Sequence, residues 1–355
     1  MPQTSLVITS IGPVNGSLEE LAKVANGQRW RFFLIGDAQS PADFHLSGCE
    51  FYSLDRQRAL DLRYARVCPV RHYARKNIGY LVAWRDGAEV ILETDDDNRP
   101  LAEFAQIAPR QVCAPMLRGA GWVNVYRYSS DLTIWPRGLP LVEIHRPLPE
   151  LPTPALADCP IQQSLCDADP DVDAICRLIF GGHRPLADAP GSDQSHDHKG
   201  VAGTECAVHF RNRPAMALGA GSWCPINTQN TAWYRDAFPL LYLPACCNNR
   251  LTDIWRGLVA QRIAWAHGWA ILFRGPSMVQ ARNTHDLMKD FADEVPLHLE
   301  NPRIVELLER AKLAPEHAAI GDNLRVCYEA LVSAGILDAG EMELLEAWLG
   351  DVATF

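Results

Sequence analysis

The stretch GAEVILETDDDNRP, from Gly87 to Pro100, decides the fold that the sequence predicts. Its apolar run EVILET is typical of a buried β-strand, and it leads directly into three consecutive carboxylates, Asp95, Asp96 and Asp97. These like charges repel one another at neutral pH, and no Lys or Arg stands between them. One interpretation is a solvated turn, because Asp and Asn favour turns. The other is a site for Mn²⁺ or Mg²⁺, which prefer hard oxygen ligands and hold diphosphates.

The neighbouring segments place this acidic triplet at one edge of a sheet. SLVITSI and WRFFLIGD predict two strands, NGSLEELAKVAN predicts the helix between them, and RKNIGYLVAWRDGA predicts the helix before EVILET. Parallel strands joined by crossover helices end at the same edge, so we expect the triplet to lie beside Thr9, Ser10 and Asp37. Alternate residues of an extended strand face the same way, which makes Asp95 and Asp97 the predicted pair of metal ligands. The predicted fold class is α/β, with a mostly parallel, Rossmann-type sheet flanked by helices.

The whole chain predicts one large domain, residues 1–300, followed by a small helical cap, residues 301–355. A Pro-rich segment at residues 145–160 is typical of a linker or a surface crossing. It separates a first half of the large domain, about 1–145, from a second half, about 155–300. Helical patterns in RIVELLERAKL, NLRVCYEALVSAG and EMELLEAWLGDV predict the cap.

Composition excludes several classes of protein. The chain has 355 residues, 48% of them apolar and 21% charged, which is typical of a globular protein rather than a disordered one. A net charge of −10 without a Lys/Arg-rich run argues against nucleic acid as a partner. The eleven cysteines lack a C-x-x-C pair and favour reduced thiols over disulfides or structural zinc. No signal peptide and no apolar stretch of about 20 residues is present, so we expect a cytoplasmic protein without a transmembrane segment.

Arg75 and Lys76 stand at the predicted start of the helix before the acidic strand. Cations at a helix N-terminus oppose the helix dipole and cost some stability. Because the chain carries two cations there despite this cost, a functional role is favoured. Arg would offer a bidentate fork to the phosphates of a donor, and Lys would offer a point charge. The alternative is an ordinary solvated helix start.

In TDIWRG, Thr252 is the predicted N-cap of a helix and Asp253 lies in its first turn. An acid is favoured at this position by capping and by the helix dipole. The functional interpretation makes Asp253 the general base that deprotonates an acceptor hydroxyl in an inverting transfer. Arg256, one turn further on, would then contact the donor or the acceptor.

Two other polar clusters suit hydrogen bonds to a sugar, although each also fits an ordinary surface loop. DADPDVDA carries four alternating carboxylates, which bind sugar hydroxyls or cap a following helix. The second cluster is neutral and consists of Asn227, Gln229, Asn230 and Thr231.

Together these segments resemble the STELLO-type glycosyltransferases and, more distantly, the reversibly glycosylated polypeptides. The resemblance runs from about Val7 to about Glu294, and the helices after residue 300 are expected to lie outside it. It covers VITSI, IGD, RKNIGYL, GAEVILETDDDN, DADPDVDA, PINTQNTAWYRDAFPLLYLP and TDIWRGLVAQR, in the family's order. The resemblance implies a GT-A glycosyltransferase fold, with a nucleotide-binding first half, an acceptor- or sugar-binding second half, and a D-x-D motif that binds the metal of a sugar nucleotide.

The resemblance also implies roles for individual residues. His285, late in the chain, would join Asp95 and Asp97 as a third metal ligand. Asp171 and Asp173 are the members of DADPDVDA that would contact a sugar. The residues that would surround the base, ribose and phosphates of the donor are Thr9, Ser10, Ile11, Asp37, Arg75, Lys76, Asp95 and Asp96.

The function predicted from the sequence is the metal-dependent transfer of a sugar from a nucleoside-diphosphate sugar to a glycan or lipid-linked sugar acceptor. A sugar-nucleotide mutase is the second hypothesis, and it would interconvert ring forms of a sugar nucleotide without any acceptor. The third is a non-catalytic protein that binds a sugar nucleotide as an assembly partner, which would bind the donor without turnover.

Overall fold

The computed structural model describes residues 3–180, 208–280 and 286–355. Its helices are α1 Gly16–Gln28, α2 Leu54–Arg58, α3 Arg63–Val67, α4 Lys76–Arg85, α5 Ala174–Phe180, α6 Thr252–Ala266, α7 Leu287–Arg310, α8 Ile320–Ser333 and α9 Glu341–Val352. Its strands are β1 Thr4–Thr9, β2 Arg31–Ile35, β3 Glu50–Tyr52, β4 Val90–Thr94, β5 Asn98–Pro100, β6 Gln111–Ala114, β7 Met116–Leu117, β8 Gly121–Trp122, β9 Ala155–Asp158, β10 Ile161–Ala168, β11 Met216–Leu218, β12 Ser222–Trp223, β13 Asn230–Tyr234 and β14 Ile271–Gln280. None of the helices in these ranges is long and apolar enough to cross a bilayer.

Ten of the described strands form one sheet, which confirms the predicted α/β fold around a mostly parallel sheet. The strand order is β3-β2-β1-β4-β13-β10-β14-β11-β7, and β5 pairs with β14 beside this path. β1 is parallel to both β2 and β4, and β10 is parallel to β14. Because β13 is antiparallel to both β4 and β10, β10 runs in the same direction as β4. β3 is parallel to β2, so six of the described strands, β1, β2, β3, β4, β10 and β14, end at one edge of the sheet, which we call the carboxyl edge.

Alternation along β1 shows how helices cover both faces of the sheet. Leu6 and Ile8 belong to the apolar cluster that contains the buried face of α1, whereas Val7 belongs to the cluster that contains α4. A Cβ on Gly79 of α4 would lie 2.6 Å from Val7 Cγ1. The glycine therefore lets α4 pack closely against the strand that leads into the site.

Helix α6 is buried on most of its surface. The reason is tertiary: α7, α8 and a 3₁₀ helix, Arg235–Leu241, all pack against it. Asp253 lies in the first turn as predicted. Thr252 does not act as the predicted N-cap, because it is already helical and its hydroxyl donates to the Pro244 carbonyl oxygen.

The C-terminal helices are part of the main core rather than a separate cap. Trp348 is fully buried in the cluster that contains the sheet residue Trp233. The Asp351 carboxylate accepts the backbone N–H groups of Arg63 and Tyr64, each at 2.8 Å, and so caps α3 from a distance of 287 residues along the chain. The domain boundary predicted at residue 301 falls inside α7. Residues 145–160 likewise include β9, which pairs with β6, so this segment is only partly a linker.

Candidate functional site

A cleft of about 650 Å³ opens at the carboxyl edge of the sheet. It lies where β1 pairs with β2 on one side and β4 on the other, the point at which open α/β sheets commonly bind ligands. Its size is within the usual range for small-molecule sites, roughly 300–1,000 Å³. The predicted site residues that line it are Thr9, Ser10, Ile11, Asp37, Arg75, Asp95, Asp96, Asp97, Asp171, Gln229 and Asp253. The prediction that the acidic triplet shares an edge with Thr9, Ser10 and Asp37 is therefore confirmed.

The acidic triplet forms a turn rather than the end of a strand. β4 ends at Thr94, and the Asn98 N–H donates to the Asp95 carbonyl oxygen at 3.3 Å just before β5. The alternation of an extended strand does not apply in such a turn, and all three carboxylates line the cleft. The alternation argument that singled out Asp95 and Asp97 is wrong for this reason, although both residues do face the cleft.

Three different elements hold the carboxylates of this turn. In the segment after β1, the Ser10 hydroxyl donates to Asp96. In the segment before α4, the Tyr73 hydroxyl donates to Asp95 at 2.6 Å. At the end of β14, the Gln280 amide donates to Asp97 at 3.1 Å. Burial raises the pKa of Asp96. Burial and then the Asp95 charge raise the pKa of Asp97 to about 7. Desolvation and mutual repulsion are the costs that a bound cation would relieve.

Arg75 and Lys76 are occupied inside the protein, which differs from the solvated helix start that the sequence suggests. The Arg75 side chain is 2% exposed; its guanidinium donates to Gln57 Oε1 at 2.9 Å and to the Cys68 carbonyl oxygen at 3.2 Å. Lys76 is fully buried, and its Nζ donates to the Thr94 carbonyl oxygen at 2.8 Å. Contact with donor phosphates, as predicted for both, would require these buried bonds to break.

Elsewhere in the cleft, Arg137 joins two predicted site residues. Its Nε donates to Asp171 and one terminal nitrogen donates to Asp253, each at 2.8 Å. The Asn227 amide donates to the other oxygen of Asp171 at 2.9 Å. Burial raises the pKa of Asp253, the Arg137 guanidinium opposes this, and the Asp171 charge raises it further. The arrangement holds a carboxylate that accepts protons more readily than an exposed one, in a fixed orientation beside the cleft.

Two other predicted residues lie in the core and do not line the cleft. Asp173 is fully buried; its carboxylate accepts the Gly138 N–H at 2.8 Å and the Trp135 indole N–H. Arg256 is 1% exposed and forms a bidentate ion pair with Glu93, at 2.8 and 3.0 Å. The structure thus gives both side chains interior partners rather than access to a sugar.

The neutral polar cluster is divided between cleft and core. Gln229 lines the cleft, and its amide donates to Gln280 at 2.6 Å. Asn230 is buried in β13 and donates to Ser277 Oγ at 2.8 Å. Asn227 is also buried and exchanges hydrogen bonds with Gln163, so it reaches the cleft only through Asp171.

Metal binding would rely on the acidic turn. His285 lies outside the described residues, so its predicted role as third ligand has no structural counterpart here. Within the described ranges, no group of three or more His, Cys, Asp or Glu residues is arranged to hold a metal ion. Mg²⁺ that holds a diphosphate commonly uses one or two carboxylates and completes its shell with phosphate oxygens and water. The turn fits a site of that incomplete kind, because its hard oxygen donors are desolvated and mutually repulsive.

Several residues that line the cleft were not predicted from the sequence. Gln280 ends β14, so the rule that polar residues at strand ends collect at the carboxyl edge identifies it. Several others lie in turns or loops or, for Tyr73, in a short 3₁₀ helix, where no periodic signal exists. Polar examples are Arg71, His72, Tyr73, Arg137, Asn249 and Arg250.

A family model and two curated proteins that match this chain are all named as STELLO glycosyltransferases. The family model of the STELLO glycosyltransferases matches residues 250–355. Two proteins of Arabidopsis thaliana, named probable glycosyltransferase STELLO2 and STELLO1, are each 26% identical to this chain over 354 and 355 residues. The alignments cover 94% of this chain but 43% and 42% of those proteins, so the chain spans less than half their length. A solved structure, the glucosyl-3-phosphoglycerate synthase of M. tuberculosis, is 12% identical with a TM-score of 0.39, over 87% of this chain and 79% of that one.

These matches correct one expectation about the extent of the resemblance. The helices after residue 300 were expected to lie outside it, yet the family model covers α6 to α9. The physical reason is their burial against the main core, through contacts such as those of Trp348 and Asp351. The resemblance predicted from the sequence is confirmed: this chain is similar to the STELLO glycosyltransferases in residues 250–355, and to the two Arabidopsis proteins along 94% of its length.

Proposed function

We propose that this protein transfers a sugar from a nucleoside-diphosphate sugar to a glycan or lipid-linked acceptor, with Mn²⁺ or Mg²⁺ held by Asp95 and Asp97. The observation that carries the proposal is the acidic turn, which is partly buried and lines the cleft at the point of the carboxyl edge where α/β sheets bind ligands. The relationship to the STELLO proteins supports glycosyl transfer as the reaction and a GT-A type of fold as its scaffold.

The donor would lie across the wall formed by the segments after β1 and β2. Thr9 to Ile11 and Asp37 would contact base and ribose, and the acidic turn would face the diphosphate. A metal ion bound there would offset the charge that develops on the departing diphosphate. The bonds from Tyr73 and Gln280 hold Asp95 and Asp97 in position for this contact, so little reorganisation is needed when the donor binds.

The acceptor would lie toward Arg137, Asp171 and Asp253, which also line the cleft. In an inverting transfer Asp253 would take the proton of the attacking hydroxyl, and its raised pKa suits that task. Arg137 orients the carboxylate, while Asp171 and Gln229 offer hydrogen bonds to sugar hydroxyls.

A thermal-shift experiment with a panel of sugar nucleotides, with and without Mn²⁺, tests the proposal. We expect one donor to raise the melting temperature of the wild-type protein only when Mn²⁺ is present, because a ligand of the folded state stabilises it. Asp95→Asn and Asp97→Asn should abolish that Mn²⁺-dependent shift while the protein stays folded. Asp61→Asn, which changes a side chain that is 96% exposed, is the matched control.

An undiminished Mn²⁺-dependent shift in both cleft variants would overturn the metal assignment. The donor found in this way is then incubated with acceptors, and release of nucleoside diphosphate with formation of a glycoside is the expected result. Interconversion of ring forms without an acceptor would instead identify a mutase. Binding without turnover across a broad acceptor panel would identify a non-catalytic binder.

A further inference from the structure

Four arginines line the cleft among the described residues, and three of them already have charged or polar protein partners. Arg75 is bound to Gln57, and Arg137 is bound to Asp171 and Asp253. Arg250 is bound to Glu294 at 2.9 Å. These guanidinium groups balance or organise the protein itself. A diphosphate that enters this acidic cleft therefore needs another cation.

Arg71 is the fourth arginine, and it differs from the others. Its side chain is exposed at the cleft, and within the described ranges no hydrogen bond or ion pair of the structure includes it. Its backbone has φ +58°, in the left-handed region that residues other than glycine, Asn and Asp seldom adopt. Such a conformation persists only where the surroundings impose it, and it is found preferentially at functional sites.

The residues that follow Arg71 are held by two different segments, one after β2 and one before α6. The His72 N–H donates to the Asp37 carboxylate at 3.0 Å, on the side of β2. The Tyr73 N–H donates to Asn249 at 3.0 Å, on the side of α6. The Tyr73 hydroxyl reaches the acidic turn, so the segment that carries Arg71 is fixed to the same carboxylates that would hold the metal.

We propose that Arg71 binds the diphosphate of the donor, in the role that the sequence analysis gave to Arg75 and Lys76. A guanidinium offers two parallel N–H donors that match the oxygens of a phosphate group. Its freedom from protein partners means that no internal bond is lost when the phosphate binds. This inference rests on the proposed nucleotide-sugar function, and it adds the residue that recognises the anionic part of the donor.

The test compares Arg71→Gln and Arg71→Lys with the wild-type protein in isothermal titration calorimetry. The probes are ADP, CDP, GDP and UDP, each with Mn²⁺, and the four matching nucleosides. Arg71→Gln should weaken binding of the preferred nucleoside diphosphate by roughly 10- to 100-fold, the usual scale for a hydrogen bond to a charged group, and leave the nucleoside affinity unchanged. Arg71→Lys should give an intermediate loss, since it keeps the charge but not the fork.

Arg29→Gln is the matched control, because Arg29 is also exposed and left-handed, with φ +59°, but lies at the end of α1 outside the cleft. It should bind every probe as the wild-type protein does. Nucleoside diphosphate binding that is equally tight in Arg71→Gln and wild type would overturn the role of Arg71 alone. Failure of the wild-type protein to bind any nucleoside diphosphate would overturn this inference together with the proposed function.

Discussion

Replacing Arg256 tests whether this residue stabilises the core, as its contacts indicate, or binds the substrate, as its position in the sequence suggested. Its guanidinium donates to Glu93 Oε1 at 2.8 Å and to Oε2 at 3.0 Å, and Glu93 is fully buried. Glu93 also accepts the Trp233 indole N–H at 2.8 Å and the Tyr80 hydroxyl. The pair thus joins α6 to β4, the strand that leads into the acidic turn.

The expected loss of unfolding free energy depends on which charged groups remain buried in each variant. Arg256→Met leaves a buried carboxylate without its cation, which typically costs about 3–5 kcal/mol of unfolding free energy. The donors from Trp233 and Tyr80 remain, so we expect the lower end of that range, about 3 kcal/mol. Arg256→Met combined with Glu93→Gln removes both charges and should recover most of the loss, because a neutral replacement of a buried ion pair is often well tolerated.

Urea unfolding followed by tryptophan fluorescence measures these differences, and donor affinity is measured on the same variants while they are folded. The exposed pair of Arg99 and Glu20 serves as the control, and Arg99→Met should change stability little. A stable Arg256→Met variant that binds the donor much more weakly than wild type would refute the reasoning. That result would indicate that Arg256 binds the substrate, as the sequence suggested.

Two further predictions concern carboxylates. Asp253→Asn should lower turnover by roughly a hundredfold or more with donor affinity almost unchanged, because Asn cannot accept the acceptor proton; a near-normal rate with a lower melting temperature would make Asp253 structural. Burial and then the Glu294 charge raise the pKa of Asp173 to about 7. Between about pH 4 and pH 7 the folded state therefore keeps a proton that the unfolded state releases, and the free energy of unfolding should fall as the pH rises. Asp173→Asn should flatten this fall by roughly 2 kcal/mol between about pH 5 and pH 7, and parallel pH profiles of the two proteins in urea unfolding would contradict it.

The sequence predicts the elements near the acidic turn well because their signals are local. β1, α1, β2, α4 and β4 each carry a strong period or a β-branched run bounded by turn residues. Parallel connection then places their ends together, which is why Ser10 and Asp37 were correctly assigned to the edge that holds Asp96.

Which partner a charged side chain takes is a different matter, since it depends on contacts far apart in sequence. Glu93 and Arg256 are 163 residues apart, and neither local pattern indicates that they meet. Arg137 reaches Asp253 across 116 residues from an irregular segment. Sequence motifs therefore drew attention to Arg75, Lys76 and Arg256, but only the fold shows which protein groups these side chains bind.

The charge balance of the cleft links the two proposals. Among the described residues that line the cleft, Arg137 and Arg250 are paired with acids and Arg75 is bound to Gln57, which leaves Arg71 as the arginine able to offset the acidic turn. Lys76 contributes partly, because its Nζ lies 3.5 Å from Asp95 while it donates to the Thr94 carbonyl oxygen. A diphosphate would enter this field at a cost unless a divalent cation came with it, and the cation in turn would gain the phosphate oxygens that complete its shell. Each ligand should therefore raise the affinity of the other by the same factor, because the coupling between two binding equilibria is reciprocal. Arg71 acts on the phosphate alone, so its replacement should weaken the diphosphate without removing this dependence on metal, whereas Asp97→Asn should remove the dependence itself.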